Sequence, residues 1–242
     1  MHITKKHIER FELIRDTFLK TTSVPSTGNW QHLSNNDIWL RLVSQVIVVG
    51  NSTPAEKFNQ DSRLKKLVSY HRLSKLNDEN SLGKGINYVL REVGARYASR
   101  SPEKCKKTQA LVHNLKVLKK FKNGPKTLLQ RISEFKGLNE SKRKARYLMK
   151  IFEYIKSKSS RDFLMELGLL SDAIALDVRL QSVLRKKVGL KIPKGLENNP
   201  KVYDEIEREL LLKVCKPLKL SGVQFDRMLY QNYDKIKDMV LN

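Results

Sequence analysis

The sequence predicts an all-α protein, and three observations carry that prediction. Apolar residues recur at three- and four-residue spacing through most of the chain, the period of a helix with one buried face. No segment alternates apolar and polar residues at period two, and the one β-branched run, Val46–Val49, is flanked by helical pattern. Capping residues, glycines and prolines fall where the periodic segments start and stop.

Residues 4–20 form the first helix, with Ile8, Phe11, Ile14 and Phe18 on one side. The stretch 21–29, which holds Pro25 and Gly28, is a loop, and Trp30 and Leu33 pack where the chain returns. Asn36 and Asp37 cap a strongly apolar helix that carries Trp39, Leu42, Val43, Val46 and Ile47 and ends at Gly50. Thr53 and Pro54 are the N-cap and first residue of the short helix after it. Between 61 and 98 the helical pattern breaks near Asn77–Asn80 and again near Gly83 and Gly85. Ser101-Pro102 opens a helix through Leu111, Leu115 and Leu118 that closes before Gly124-Pro125, and a short helix then holds Leu128, Leu129 and Ile132.

A loop at 136–139 precedes a helix over 142–155, where Ala145, Leu148, Ile151 and Phe152 share a face. The next helix buries Phe163, Leu164 and Leu167, and Gly168 supplies the left-handed residue that ends it. A turn leads into the apolar run Ala173-Ile174-Ala175-Leu176, which delivers one carboxylate, Asp177. Val178, Leu180, Val183, Leu184 and Val188 then recur at helical spacing, so Asp177 stands at or near an N-cap. Unpaired N–H groups and the helix dipole there favour its ionised form. After a loop at 191–200, a helix over 201–216 turns Tyr203, Ile206, Leu210 and Val214 inward. Ser221 and Gln224 fit a capping box that opens the last helix.

The 242 residues include 48 Lys and Arg against 25 Asp and Glu, a net charge of +23. Such an excess draws polyanions by steering and counterion release, so DNA, RNA and anionic membrane surfaces are all candidate partners on charge alone. An apolar content of 40% can fill one large core or two small ones. No apolar run is long enough to span a bilayer, and the charged start has no signal-peptide apolar region, so the expectation is a soluble, intracellular protein. Cys105 and Cys215 are the only cysteines, which excludes a disulfide framework and any four-cysteine zinc or iron–sulfur site made by one chain. Both read as small core residues in helices. The five histidines show no metal-ligand spacing and read as surface or capping residues.

Lys158 opens one helix, and Asp177 begins the next, nineteen residues on. A short helix folded back on its own connection brings amine and carboxylate to one cleft. The stretch 158–179, Lys-x-x-Arg-Asp-Phe-Leu-Met-Glu-Leu-Gly…Ala-Ile-Ala-Leu-Asp-x-Arg, resembles the core of the helix-hairpin-helix DNA glycosylases. Within that superfamily it is most similar to the archaeal and bacterial 8-oxoguanine glycosylase/lyases. The segment Phe225-Asp226-Arg227-Met228-Leu229-Tyr230 resembles their closing Leu-Asp-x-x-Leu-Trp helix, and Lys142–Arg146 their Lys-Ala-Arg helix start. Where the family places a glycine-flanked turn ahead of the lysine, this chain has Tyr154-Ile155-Lys156-Ser157.

By that resemblance Lys158 is the Schiff-base lysine and Asp177 the essential aspartate, while Asp226 anchors structure. Asn51 matches a position that fills the gap left by a flipped base; the alternative is a polar turn residue bonded to nearby backbone. Lys156, Ser157, Arg161 and Arg179, which surround the pair, complete the candidate DNA contacts. The resemblance also implies two helical subdomains with a DNA-binding cleft between them, residues 35–189 forming one and residues 1–34 with 190–242 the other. It implies a monomer that works on double-stranded DNA containing a damaged base, with oxidised guanine as the lesion.

The expected chemistry starts with the target nucleotide flipped out of the stack. A lysine must be neutral to attack, so its ordinary pKa of about 10.4 has to fall by burial and like-charge neighbours, here Lys156 and Arg161. Lys158 then attacks the sugar C1′ as the base leaves, and the Schiff base permits β-elimination of the 3′ phosphate. Asp177 stabilises positive charge on the sugar or assists proton transfer. The scheme uses no metal or cofactor. Three alternatives stand beside it: a monofunctional or mismatch glycosylase, a non-catalytic DNA- or RNA-binding protein on the same scaffold, and a basic helical protein that binds acidic partners or membrane surfaces.

Overall fold

The computed structural model describes residues 1–137 and 139–241. Leu138, in the expected loop at 136–139, and Asn242, at the end of the expected second subdomain, lie outside the described residues. In chain order the helices are α1 (Lys5–Phe18), α2 (Asn35–Ile47), α3 (Thr53–Gln60), α4 (Ser62–Leu67), α5 (Tyr70–Ser74), α6 (Glu79–Glu92) and α7 (Lys106–Lys119). They continue as α8 (Pro125–Ser133), α9 (Glu140–Ile151), α10 (Ser157–Glu166), α11 (Val178–Ser182), α12 (Pro200–Leu210), α13 (Gly222–Gln231) and α14 (Tyr233–Asp238). The described residues contain no β-strand, so the all-α expectation holds.

The chain divides into two compact units, Asn29–Ile155 and Met1–Gly28 with Lys156–Asn242. Residues 156–189, placed by sequence in the central subdomain, therefore belong with the terminal segments. Packing explains the difference, because Ile174, Leu176, Leu180 and Leu184 share one core with Phe11, Tyr203 and Phe225.

In the Asn29–Ile155 unit, α2 is the helix around which α3, α5, α7 and α8 pack. Its cap is Ser34 rather than Asn36 and Asp37: the Ser34 hydroxyl accepts from the Asp37 N–H at 3.1 Å, and the Asp37 carboxylate accepts from the Ser34 N–H at 2.9 Å. Trp39, fully buried, donates its indole N–H to the Val68 carbonyl at 2.7 Å. α6 runs unbroken through Gly83 and Gly85, because the buried face made by Leu82, Ile86, Val89 and Leu90 outweighs about 1 kcal/mol of lost propensity at each glycine. α7 begins at Lys106, so Ser101-Pro102 marks a turn and not the helix start.

Two buried side chains of α7 tie down loops of this unit. Lys107 donates to the carbonyls of Ile47 at 3.0 Å and Val49 at 2.9 Å, closing the end of α2. Burial pulls its pKa down to about 8. Asn114 accepts from the Glu153 N–H at 2.8 Å and donates to the Glu153 carbonyl at 3.0 Å. The next residue, Tyr154, has a left-handed backbone, φ 61°. A tyrosine thus holds a conformation that glycine adopts more easily.

In the other unit, α1 is capped by Thr4 with His7, and buries Phe11, Ile14 and Phe18 as expected. Phe11 meets Phe225 of α13 with ring centroids 5.4 Å apart. The Ser221–Gln224 capping box forms as predicted. Gly168 has φ 67° and ends α10, again as predicted.

Candidate active site

Residues 173–176 are apolar, buried and neither helix nor strand. Their peptide groups therefore need partners from elsewhere, since a buried unpaired N–H costs as much as a lost hydrogen bond. Side chains of α12 and α13 supply them. The Ile174 N–H donates to Glu207 at 3.0 Å, the Ala175 N–H to Asp226 at 2.7 Å, and the Leu176 N–H to the Tyr203 hydroxyl at 2.7 Å. That hydroxyl in turn donates to the Ile174 carbonyl at 2.9 Å, and Gln181 donates to the Leu176 carbonyl at 2.8 Å. Gly222 lets the start of α13 come close: a Cβ there would stand 2.6 Å from the Ala173 nitrogen and 2.7 Å from its oxygen.

Asp177 emerges from this seat as the N-cap of α11, its carboxylate accepting from the Leu180 N–H at 2.8 Å. Lys158 stands in the first turn of α10, with its Nζ 2.8 Å from Asp162 one turn on. The other Asp162 oxygen accepts from Arg227 at 2.8 Å, and Arg227 also lies 3.6 Å from Asp226. The Lys158 and Asp162 side chains are 25% and 14% exposed.

These neighbours decide the charges, and they reverse two expectations. Burial pulls the Lys158 pKa down, but Asp162, Asp177 and Asp226 together raise it above the ordinary lysine value. The expected lowering by Lys156 and Arg161 does not prevail, because the three carboxylates outweigh burial at the amine. Asp177 is raised from its ordinary value, since burial outweighs the Leu180 N–H and the Lys158 charge. Burial thus works against the ionised form that the N-cap position favours. Burial also pushes Asp226 up to about 7 against the pull of Arg227. Lys158 and Asp177 lie close enough for each to act on the titration of the other.

The remaining candidates separate clearly. Arg161 is wholly buried and ion-paired to Glu207 and Asp204, both at 2.7 Å, with its guanidinium 4.5 Å from the Tyr203 ring centre. Its role is structural, and it is withdrawn as a DNA contact. The Ser157 side chain is also buried, and the Ser157 carbonyl accepts from Ser160 and Arg161, so its hydroxyl is withdrawn too. Lys156 is exposed and donates to Asn198 at 3.2 Å. Arg179 lies over the rings of Tyr230 and Tyr233, at 5.2 and 5.9 Å. Asn51 is exposed and accepts from the Thr53 N–H at 3.1 Å, the local bond of a polar turn residue.

Sequence reasoning missed Asp162 and Arg227, although the four-residue spacing of Lys158 and Asp162 signalled an ion pair. Among the described residues no cluster of histidines, cysteines and carboxylates is arranged to hold a metal, and no helix is long and apolar enough to cross a membrane.

No protein-family model matches the chain, and no curated protein matches it in sequence. Solved structures do. The 8-oxoguanine DNA glycosylase of Thermotoga maritima is 22% identical with a TM-score of 0.61, over 93% of each chain. The 8-oxoguanine glycosylase/lyase of Methanocaldococcus jannaschii, solved with a 15mer DNA containing 8-oxoguanine, is 18% identical with a TM-score of 0.61, over 96% of this chain and 97% of that one. A further structure of the Methanocaldococcus jannaschii 8-oxoguanine DNA glycosylase is 16% identical with a TM-score of 0.62, over 97% and 95%. The chain has the all-α, helix-hairpin-helix fold of these glycosylases.

Proposed function

We propose that the chain is a base-excision DNA glycosylase with AP lyase activity, and that it removes 8-oxoguanine from duplex DNA. The observation that carries this reading is the chain of contacts that links Lys158 of α10, through Asp162, Arg227 and Asp226, to the loop that delivers Asp177, with each of the two groups acting on the charge of the other. The fold shared with 8-oxoguanine glycosylases supports it. In this reading, the Lys158 amine, once neutral, bonds to C1′ of the flipped nucleotide as the glycosidic bond breaks. The C1′–O4′ bond of this adduct then breaks, with a proton passing from the amine to O4′, and the Schiff base so formed allows a C2′ proton to leave and the 3′ phosphate to be expelled. Asp177 stabilises the positive charge that grows on the sugar. Asn51, Lys156 and Arg179 are the candidate DNA contacts, with the net charge of +23 providing sequence-independent attraction.

The test is borohydride trapping on a panel of duplexes that each carry one damaged base. Wild type should form a covalent complex, with the highest yield on 8-oxoguanine, and Lys158→Ala should form none. Asp177→Asn should slow single-turnover excision by about a hundredfold or more. Equal trapping by wild type and Lys158→Ala would remove the nucleophile assignment. One observation favours a second reading: Lys158 is held as an ammonium by Asp162, which suits a monofunctional glycosylase in which Asp177 directs water. Excision by wild type without any trapped complex would select that reading.

A further inference from the structure

We infer that Asp162, buttressed by Arg227, is the positioning residue that sets the charge and the aim of Lys158. The inference rests on reading Lys158 as the nucleophile, and it adds two residues to that site.

The geometry carries it. Asp162 spends one carboxylate oxygen on the Lys158 Nζ and the other on Arg227, each at 2.8 Å. A carboxylate held at both oxygens cannot swing away from the amine without breaking its second ion pair. Arg227 is fixed in turn, because it also faces Asp226, whose side chain accepts from the Ala175 N–H in the loop that delivers Asp177. Lys158 is thereby registered to the same frame as Asp177. The charged groups around the amine are Asp162 on its own helix, Asp177 at the start of α11, Asp226 on α13, and Arg227 of α13, which shares the Asp162 carboxylate with it. Three carboxylates favour the ammonium, and one guanidinium opposes them.

Two substitutions should then move the amine in opposite directions. Asp162→Asn keeps the shape and removes the nearest negative charge, which leaves burial less opposed, so Lys158 should lose its proton at lower pH. Arg227→Gln removes the opposing cation, so Lys158 should hold its proton to higher pH. Local damage to packing has no reason to produce shifts of opposite sign.

The readout is the Lys158 resonance in 13C-lysine-labelled protein titrated by NMR, assigned by its absence in Lys158→Arg. Thermal unfolding confirms that each variant is folded. The midpoint in Asp162→Asn should fall by about one pH unit or more, a tenfold change in the amine-to-ammonium ratio at fixed pH, and the midpoint in Arg227→Gln should rise. Borohydride trapping on abasic-site duplex as a function of pH should follow the same shifts. A change under about 0.3 pH unit in Asp162→Asn, or shifts of one sign in both variants, overturns the inference. Trapping that ignores both substitutions overturns it as well, while leaving the glycosylase reading intact. NMR shifts as described, in a protein that traps no DNA at any pH, uphold the control of Lys158 by Asp162 and end the lyase reading instead.

Discussion

Asp226 is pushed up to about 7 by burial, against Arg227 and the Ala175 N–H, with Asp162 and Asp177 adding to the rise. Its carboxyl therefore keeps a proton in the folded protein at pH values where the unfolded chain, near the ordinary 3.8, has released it. Between roughly pH 4 and 7 the folded state binds more protons, so this group lowers stability as pH rises. Asp226→Asn should flatten that slope, shrinking the stability difference between pH 5 and pH 8 by roughly 2 kcal/mol in urea unfolding. Equal slopes in wild type and variant would show that Asp226 is ionised throughout. At this scale the sequence is informative about Lys158 and Asp177, because a helix start and an N-cap are local features. Their charge states are not legible, since Asp226 and Arg227 arrive from about fifty residues beyond Asp177 and nearly seventy beyond Lys158. Arg161 is misread for the same reason: Asp204 and Glu207, one turn apart on α12, receive it in the core.

The helices themselves are mostly legible, because each buries a periodic apolar face. The starts are harder to read, since several residues within a turn have capping chemistry and only local geometry selects among them. Ser34 wins over Asn36 and Asp37 by pairing reciprocally with Asp37. Glycines are equally ambiguous, and the structure separates them. Gly85 lies in α6 with nothing within 4 Å of an added Cβ, so Gly85→Ala should stabilise the protein by about 0.5–1 kcal/mol. Gly222 meets the Ala173 backbone, and Gly222→Ala should cost about 1–3 kcal/mol by forcing α13 away from the loop. Urea unfolding of the two variants checks the pair; effects of the same sign would contradict this account of the α13 contact.

For the whole molecule, the charge of +23 is the property most directly read from composition. Proteins that neutralise six to ten phosphates lose about 10³–10⁵ in affinity between 50 and 200 mM salt. We expect duplex binding, followed by fluorescence anisotropy, to weaken at least about a hundredfold over that range, with undamaged and lesion-containing DNA showing similar slopes. A flat response would point to a partner other than nucleic acid. The division into units is the least legible feature, because residues 156–189 look continuous with the helices before them. Their partners, Phe11 on one side and Tyr203 and Phe225 on the other, come from the two ends of the sequence.

The seat beneath Asp177 also determines where this protein can be shortened. Ile174, Ala175 and Leu176 are bolted in place by Glu207, Asp226 and Tyr203. A fragment that stops ahead of α12 would retain Lys158 and Asp177 yet have no mould to shape the segment that leads to Asp177. Any minimal version of the protein must therefore extend through α13.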